Sequence, residues 1–170
     1  MAEPANDWYA WQGRSSSTSI DHPTTNWIVE TELELTQDMI DRDGIRASIW
    51  LAVEGPDSFR EPNWAGVKDW AILQFKKESA TDTAGWQAWD SKGEGAWKDV
   101  TASIKPGTYK LKMVYENGKL IQYINGNMVN EYNINTEEGL SAPTHIILQS
   151  YSFGESYSVK WKIPQVQYLN

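Results

Sequence analysis

Apolar and polar residues alternate with a period of two along most of this chain. The pattern is clearest over residues 108–133, TYKLKMVYENGKLIQYINGNMVNEYN, where two Asn-Gly pairs interrupt it, Asn117-Gly118 and Asn125-Gly126. Successive side chains of a strand point to opposite faces. Leu111, Met113 and Tyr115 therefore fall on one face, and Lys110, Lys112 and Val114 on the other. A two-residue type I′ turn needs positive φ at both central positions, which Asn tolerates and Gly adopts freely. With 120–124 between the two turns, the stretch predicts a three-stranded antiparallel meander.

The same alternation runs through 27–35 (WIVETELEL), with Val29, Thr31, Leu33 and Leu35 opposite Ile28, Glu30, Glu32 and Glu34. Residues 46–53 (RASIWLAV) are almost continuously apolar, as expected of a strand covered on both faces. Residues 69–77, 85–90, 144–151 and 157–163 predict further strands, with a last short one at Val166, while 97–102 leads into the Pro106-Gly107 turn. Polar or turn-rich loops separate them at 38–44, 78–84, 91–95 and Pro106-Gly107. Residues 54–68 form the longest stretch without periodicity, and long loops of this kind often carry function. Residues 7–25 read as an edge strand and loop. Apolar residues nowhere recur at helical spacing over three turns, and only a weak helical turn near 37–40 is expected. Roughly ten to twelve short strands parted by Gly, Asn and Pro turns predict an all-β antiparallel sandwich. Residues 1–170 are expected to form one domain, with 1–26 as edge strand and loop and 27–167 as the body of the sandwich.

Composition changes this picture at a few points. Fifteen basic against 23 acidic residues leave a net charge of −8. Such a surface repels phosphate backbones, so nucleic acid is not an expected partner. No run approaches the roughly 20 apolar residues that span a bilayer. The opening residues, MAEPANDWYAW, lack the basic and apolar regions of a signal peptide and suggest a domain excised from a longer protein. Without cysteine there is no disulfide, no thiol catalysis and no Cys-ligated zinc. The unusual figure is ten Trp, beside eight Tyr and three Phe. A core of this size accommodates a few indoles whose N–H finds a partner, so ten imply that several are held at the surface for contact.

The strands WIVETELEL and IRASIWLAV, the meander YKLKMVYENGKLIQYINGNMV and the closing pair IILQSYSF and YSVKWKIPQV have a family resemblance. Together they resemble the concanavalin A-like lectin and glucanase superfamily, with its laminin-G-like jelly-roll sandwiches. The resemblance covers most of 27–167. It implies a jelly roll, an extracellular or cell-surface setting, and glycan binding on the concave sheet or on loops at one rim. The superfamily holds lectins, carbohydrate-binding modules, glycoside hydrolases, polysaccharide lyases and adhesion domains, so fold alone does not select an activity.

The aromatic residues point to sugars. A flat indole or phenol stacks on the apolar C–H face of a sugar ring, and amides and carboxylates fix its hydroxyls. Alternation nominates the residues. With Ile146 and Leu148 toward the core, His145, Ile147, Gln149 and Tyr151 face away. With Leu73 and Phe75 in the core, Trp70 and Gln74 do not face it. Arg46, Ser48 and Trp50 share a face opposite Ile49 and Leu51. In 85–90 either Trp86 with Ala88 or Gln87 with Trp89 is outward, and both indoles stand as candidates. The expected carbohydrate-binding set is therefore Arg46, Trp50, Trp70, Gln74, Trp86, Trp89, Gln149 and Tyr151. They would serve a monomeric, non-catalytic module of a larger multidomain protein, with a polysaccharide or oligosaccharide as partner, no membrane association and no cofactor.

Catalysis is the rival. Glu30, Glu32 and Glu34 share a strand face, but their Glu-x-Glu-x-Glu spacing departs from the Glu-x-Asp-x-x-Glu run of the glucanase branch. At about 3.3 Å per residue, neighbours lie about 6.6 Å apart along the strand, a distance open to a carboxylate pair. A solvated strand face is the simpler reading. A lyase would draw its neutraliser and acid/base from groups such as Gln149, Tyr151 and His145, and a laminin-G-like adhesion domain would bind protein. Asp38, Asp41 and Asp43, before Gly44, offer oxygen ligands for Ca²⁺, yet Asp and Gly also build ordinary turns, and no metal is assigned. His22, before Pro23, reads as a loop residue. Neither a phosphate loop, a nucleophile elbow nor a metal-binding His pair occurs.

Overall fold

Both Asn-Gly pairs close tight hairpins in the computed structural model, which describes residues 15–17, 26–53, 69–90, 96–133, 143–152 and 157–169. Asn117 and Gly118 have φ of 52° and 76°, and Asn125 and Gly126 have 51° and 79°. This is the doubly positive φ of the type I′ turn. The turns join β7 (Gly107–Glu116), β8 (Lys119–Ile124) and β9 (Asn127–Asn133) into the meander. Asn125 ties the second turn back to the first strand. Its N–H donates to the Lys110 carbonyl and its Oδ1 accepts from the Lys110 N–H, each at 2.8 Å.

β2 (Asn26–Leu35) pairs with β7 from Trp27 opposite Tyr115 to Leu35 opposite Gly107. Its burial alternates as expected, with Trp27, Val29, Thr31, Leu33 and Leu35 inward. The other edge of β2 is shared by β11 (Lys160–Trp161) and β12 (Gln165–Leu169). Residues 162–164 face only Thr31 and Glu32, so the chain bulges by one residue between these strands. Pro164 has no N–H for a ladder, and Thr31 Oγ1 takes up the spare Lys162 carbonyl. The strand expected over 157–163 is thereby cut to two residues.

The second sheet is antiparallel, in the order β1 (Ser15–Ser17), β10 (Pro143–Ser152), β3 (Ile45–Val53), β4 (Asp69–Lys77), β5 (Gly85–Asp90), β6 (Ala96–Val100). Between β2 and β3, α1 (Gln37–Asp41) is capped by Thr36, whose Oγ1 accepts from the Met39 N–H at 3.2 Å, and Met39 enters the core. That core is the interface of the two sheets, where Trp27, Leu33 and Leu111 meet Ile49, Leu73 and Phe75. The architecture is an all-β jelly-roll sandwich.

Trp86 belongs to this core, which corrects its nomination as a sugar-binding residue. It pairs in register with Phe75 and so shares that residue's inward face. Only 1% of it is exposed, its ring lies 5.6 Å from Phe75 and 5.0 Å from Tyr109, and its Nε1 donates to the Ser103 carbonyl.

One break in the second sheet shapes everything above it. β5 follows β4 from Lys76 opposite Gly85 to Leu73 opposite Ala88 and then leaves it. The carbonyls of Ile72 and Trp70, beyond that point, take donors from the meander sheet instead. Gln122 Nε2 donates to Ile72 at 2.9 Å and the Tyr132 hydroxyl to Trp70 at 3.1 Å. Gln122 is fully buried and accepts from Asn130 Nδ2, and Asn130 Oδ1 accepts from Lys98 Nζ on β6.

Gln122→Met should therefore cost about 2–4 kcal/mol in urea unfolding, because it leaves a buried carbonyl and a buried amide without partners. Glu32→Gln, which breaks an exposed pair with Lys162, should cost less than about 1 kcal/mol. Equal costs would refute the distinction.

Candidate functional site

The outer face of the second sheet collects most of the nominated residues. Antiparallel register aligns Gln149, Ser48, Gln74, Gln87 and Asp99 in one row across β10, β3, β4, β5 and β6. The row is hydrogen-bonded in two parts. Ser48 Oγ donates to Gln149 Oε1 at 2.8 Å and accepts from Trp50 Nε1 at 2.7 Å. Gln74 Nε2 donates to Gln87 Oε1 at 2.9 Å, and Gln87 Nε2 to Asp99 Oδ1 at 2.8 Å. Gln74 Oε1 is buried and meets no donor.

Beside this row lie four half-buried indoles. Trp50 touches Trp70 edge to face at 5.4 Å and Trp97 at 6.3 Å, and Trp97 touches Trp89 at 5.2 Å. β3 and β6 are separated by two strands, so at about 4.8 Å per strand their backbones stand roughly 14 Å apart. The contact between Trp50 and Trp97 therefore requires both side chains to lean together where β5 departs from β4. Ile72 and Gln74, on β4 between them, are 1% exposed. Each edge-to-face pair is worth only about 0.5–1.5 kcal/mol beyond its buried area, so the cluster is ordered but not locked.

A charged row borders the amides on the other side. Arg46 and Lys76 are directly opposite on β3 and β4, an unfavourable neighbourhood for like charges. Residues 78–84 relieve it by delivering two acids. Arg46 pairs with Glu78, and Lys76 with Asp82 at 3.0 Å. The Lys76 hydrogen bond, followed by the Glu78 N–H, holds the Asp82 carboxyl below the ordinary aspartate value.

Arg46, Trp50, Trp70, Gln74, Trp89 and Gln149 thus share one face. Tyr151 is brought opposite Arg46 by backbone register and His145 opposite Ala52; their side chains, like residues 54–68 and His22, lie outside the described residues. Trp97, Gln87 and Asp99 complete the face and were absent from the nominated set. The signal for Gln87 was its alternation with Trp89; that for Trp97 and Asp99 was their own alternation in AWKDV.

The acidic row lies elsewhere, on the outer face of the meander sheet. Glu30 pairs with Lys110 and Lys112, Glu32 with Lys162 and Glu34 with Lys160. In the turn after β2, Asp38 pairs with Arg42, Asp43 with Lys77, and Asp41 accepts from Gln37. Among the described residues no three metal-ligating side chains gather, and no helix is long and apolar enough to cross a membrane.

Among solved structures, the chain is similar to a marine alginate lyase from Zobellia galactanivorans, at 18% identity and a TM-score of 0.55 over 86% of this chain and 63% of that one. It is also similar to a tetrameric galectin from the ball sponge Cinachyrella, at 12% identity and 0.61 over 92% and 100% of the two chains. A second alginate lyase aligns at 13% identity and 0.59 over 88% and 67%. The chain spans less than two thirds of the Zobellia lyase. No protein-family model and no curated protein sequence matches it. At these identities the likeness is one of fold alone, a jelly-roll β-sandwich.

Asp82 supplies a pH test of the bordering row. Its carboxyl titrates lower folded than unfolded, so its contribution is complete above the ordinary aspartate value and disappears as pH falls through the lowered folded value. Asp82→Asn should be less stable than the parent at neutral pH, and in denaturant melts the difference should shrink as acidification passes through the lowered folded value. A difference independent of pH would overturn the assignment.

Proposed function

We propose that this domain is a non-catalytic carbohydrate-binding module that holds a polysaccharide against the outer face of the second sheet. The observation that supports this reading is the adjacency of four indoles to an amide and hydroxyl row crossing five strands. Indoles stack on sugar rings, and the row meets their hydroxyls through directional bonds. The module works as a monomer within a larger extracellular or cell-surface protein, keeping glycan near a catalytic neighbour. Stacking and neutral hydrogen bonds make binding enthalpic, modest in affinity and little affected by salt.

A second reading, a polysaccharide lyase on the same fold, is favoured by one observation. Register sets Tyr151 opposite Arg46, with Gln149 in the adjoining row. Arg46 and Gln149 would neutralise a substrate carboxylate and Tyr151 would act as acid/base, so turnover would appear as the ultraviolet absorbance of an unsaturated sugar.

Titration with plant and algal polysaccharides, followed by intrinsic Trp fluorescence and then by product assays, separates these readings. Saturable quenching without product is the expected outcome. Trp50→Ala and Trp97→Ala should each weaken binding by about tenfold or more, as central aromatic contacts do. Glu32→Gln, on the other sheet, should leave it unchanged. Product release would hand the function to the lyase reading, and silence toward every glycan would point to protein adhesion.

A further inference from the structure

Both described cations beside the indole face are already paired with acids, which limits what the face can hold. Arg46 already carries Glu78, and Lys76 carries Asp82. At the far end of the row, Asp99 accepts from Gln87. The described charges on this side are thus two cations against three anions, on a chain of net charge −8. A polyuronate brings a carboxylate with every sugar and needs Arg or Lys groups ready to receive it.

The amide row also has a direction. A carboxylate only accepts, so Asp99 takes the Nε2 of Gln87 and turns Gln87 Oε1 toward Gln74. Gln74 meets that oxygen with its own Nε2, which turns Gln74 Oε1 away to a place where no donor among the described residues reaches it. Gln74 is 1% exposed. A buried acceptor without a donor is costly; a hydroxyl relieves it and a carboxylate worsens it.

Building on the glycan-binding reading above, we infer that the ligand is an uncharged, hydroxyl-rich glycan rather than a polyuronate, and that one of its hydroxyls donates to Gln74 Oε1. The sugar reaches this atom by parting Trp50 from Trp97, whose edge contact spans β4.

The test is fluorescence titration of the whole chain at fixed ionic strength. Xyloglucan, mixed-linkage β-glucan and mannan form the neutral set, alginate and polygalacturonate the charged one. At least one neutral glycan should bind about tenfold or more tighter than either polyuronate, a factor that unpaired cations would reverse. A polyuronate that binds as tightly overturns this inference while glycan binding stands; silence toward all five overturns both. In Asp82→Asn, Lys76 loses its paired carboxylate, so polyuronate affinity should rise about fivefold while neutral affinity stays within about twofold. No rise would refute the ion-pair argument. Gln74→Met keeps the volume and removes the unpaired acceptor, together with the Nε2 from which Gln87 Oε1 accepts. Neutral-glycan affinity should fall about tenfold in a variant that still melts cooperatively; unchanged affinity would overturn the role of Gln74.

Discussion

The amide of Gln122 is the constraint on which the rest of the sandwich depends. It stands in the apolar gap between two sheets, where an unpaired polar group costs several kcal/mol in the strictest transfer scales. Every partner it finds fixes something else. Its Nε2 supplies Ile72 with the donor that β5 no longer gives, and its Oε1 holds Asn130, which in turn receives Lys98 from β6. The departure of β5 from β4 is therefore tolerated because the opposite sheet satisfies the abandoned backbone. Trp97 and Trp50 meet on the outer side of the same sheet, 6.3 Å apart.

The two outer faces of the sandwich divide the chemistry between them. On the meander side, alternating Glu and Lys residues pair across strands and are exposed, an arrangement that favours solubility and contributes little to stability. On the other side the indoles and amides are half or fully buried, and charge is pushed to the border and cancelled there. The fold neighbours include both a galectin and alginate lyases. The scaffold is common to them, so the fold by itself selects no activity.

Much of the fold was legible in the alternation because one-sided burial leaves a period of two in the sequence. β2, β4 and β5 lie where the pattern put them, and the Asn-Gly turns announced themselves through their need for positive φ. The site was less legible. Period two says which residues share a face but not which face is inward, so Trp86 and Trp89 were indistinguishable until pairing with Phe75 settled them. Trp97 and Asp99 sit on a short strand whose alternation has no meaning until β6 finds its register against β5. The bulge at Pro164 was visible as a residue but not as a consequence, since its effect depends on Thr31, far away in the chain.

The separation of partners along the chain also orders assembly in time. The meander closes between near neighbours, Glu116 with Lys119 and Ile124 with Asn127. The indole face starts locally on one side only, where Trp89 meets Trp97 across β5 and β6. Ser48 must meet Gln149 from 101 positions away, after β10 has entered between β1 and β3. Pairings of that range pay their loop-closure entropy before any contact rewards them, and they form late. A half-folded chain therefore has its hairpins but not the side of the indole face that joins Ser48 to Gln149. Any glycan that reads the face recognises only the finished molecule, and by mass action it holds that molecule folded.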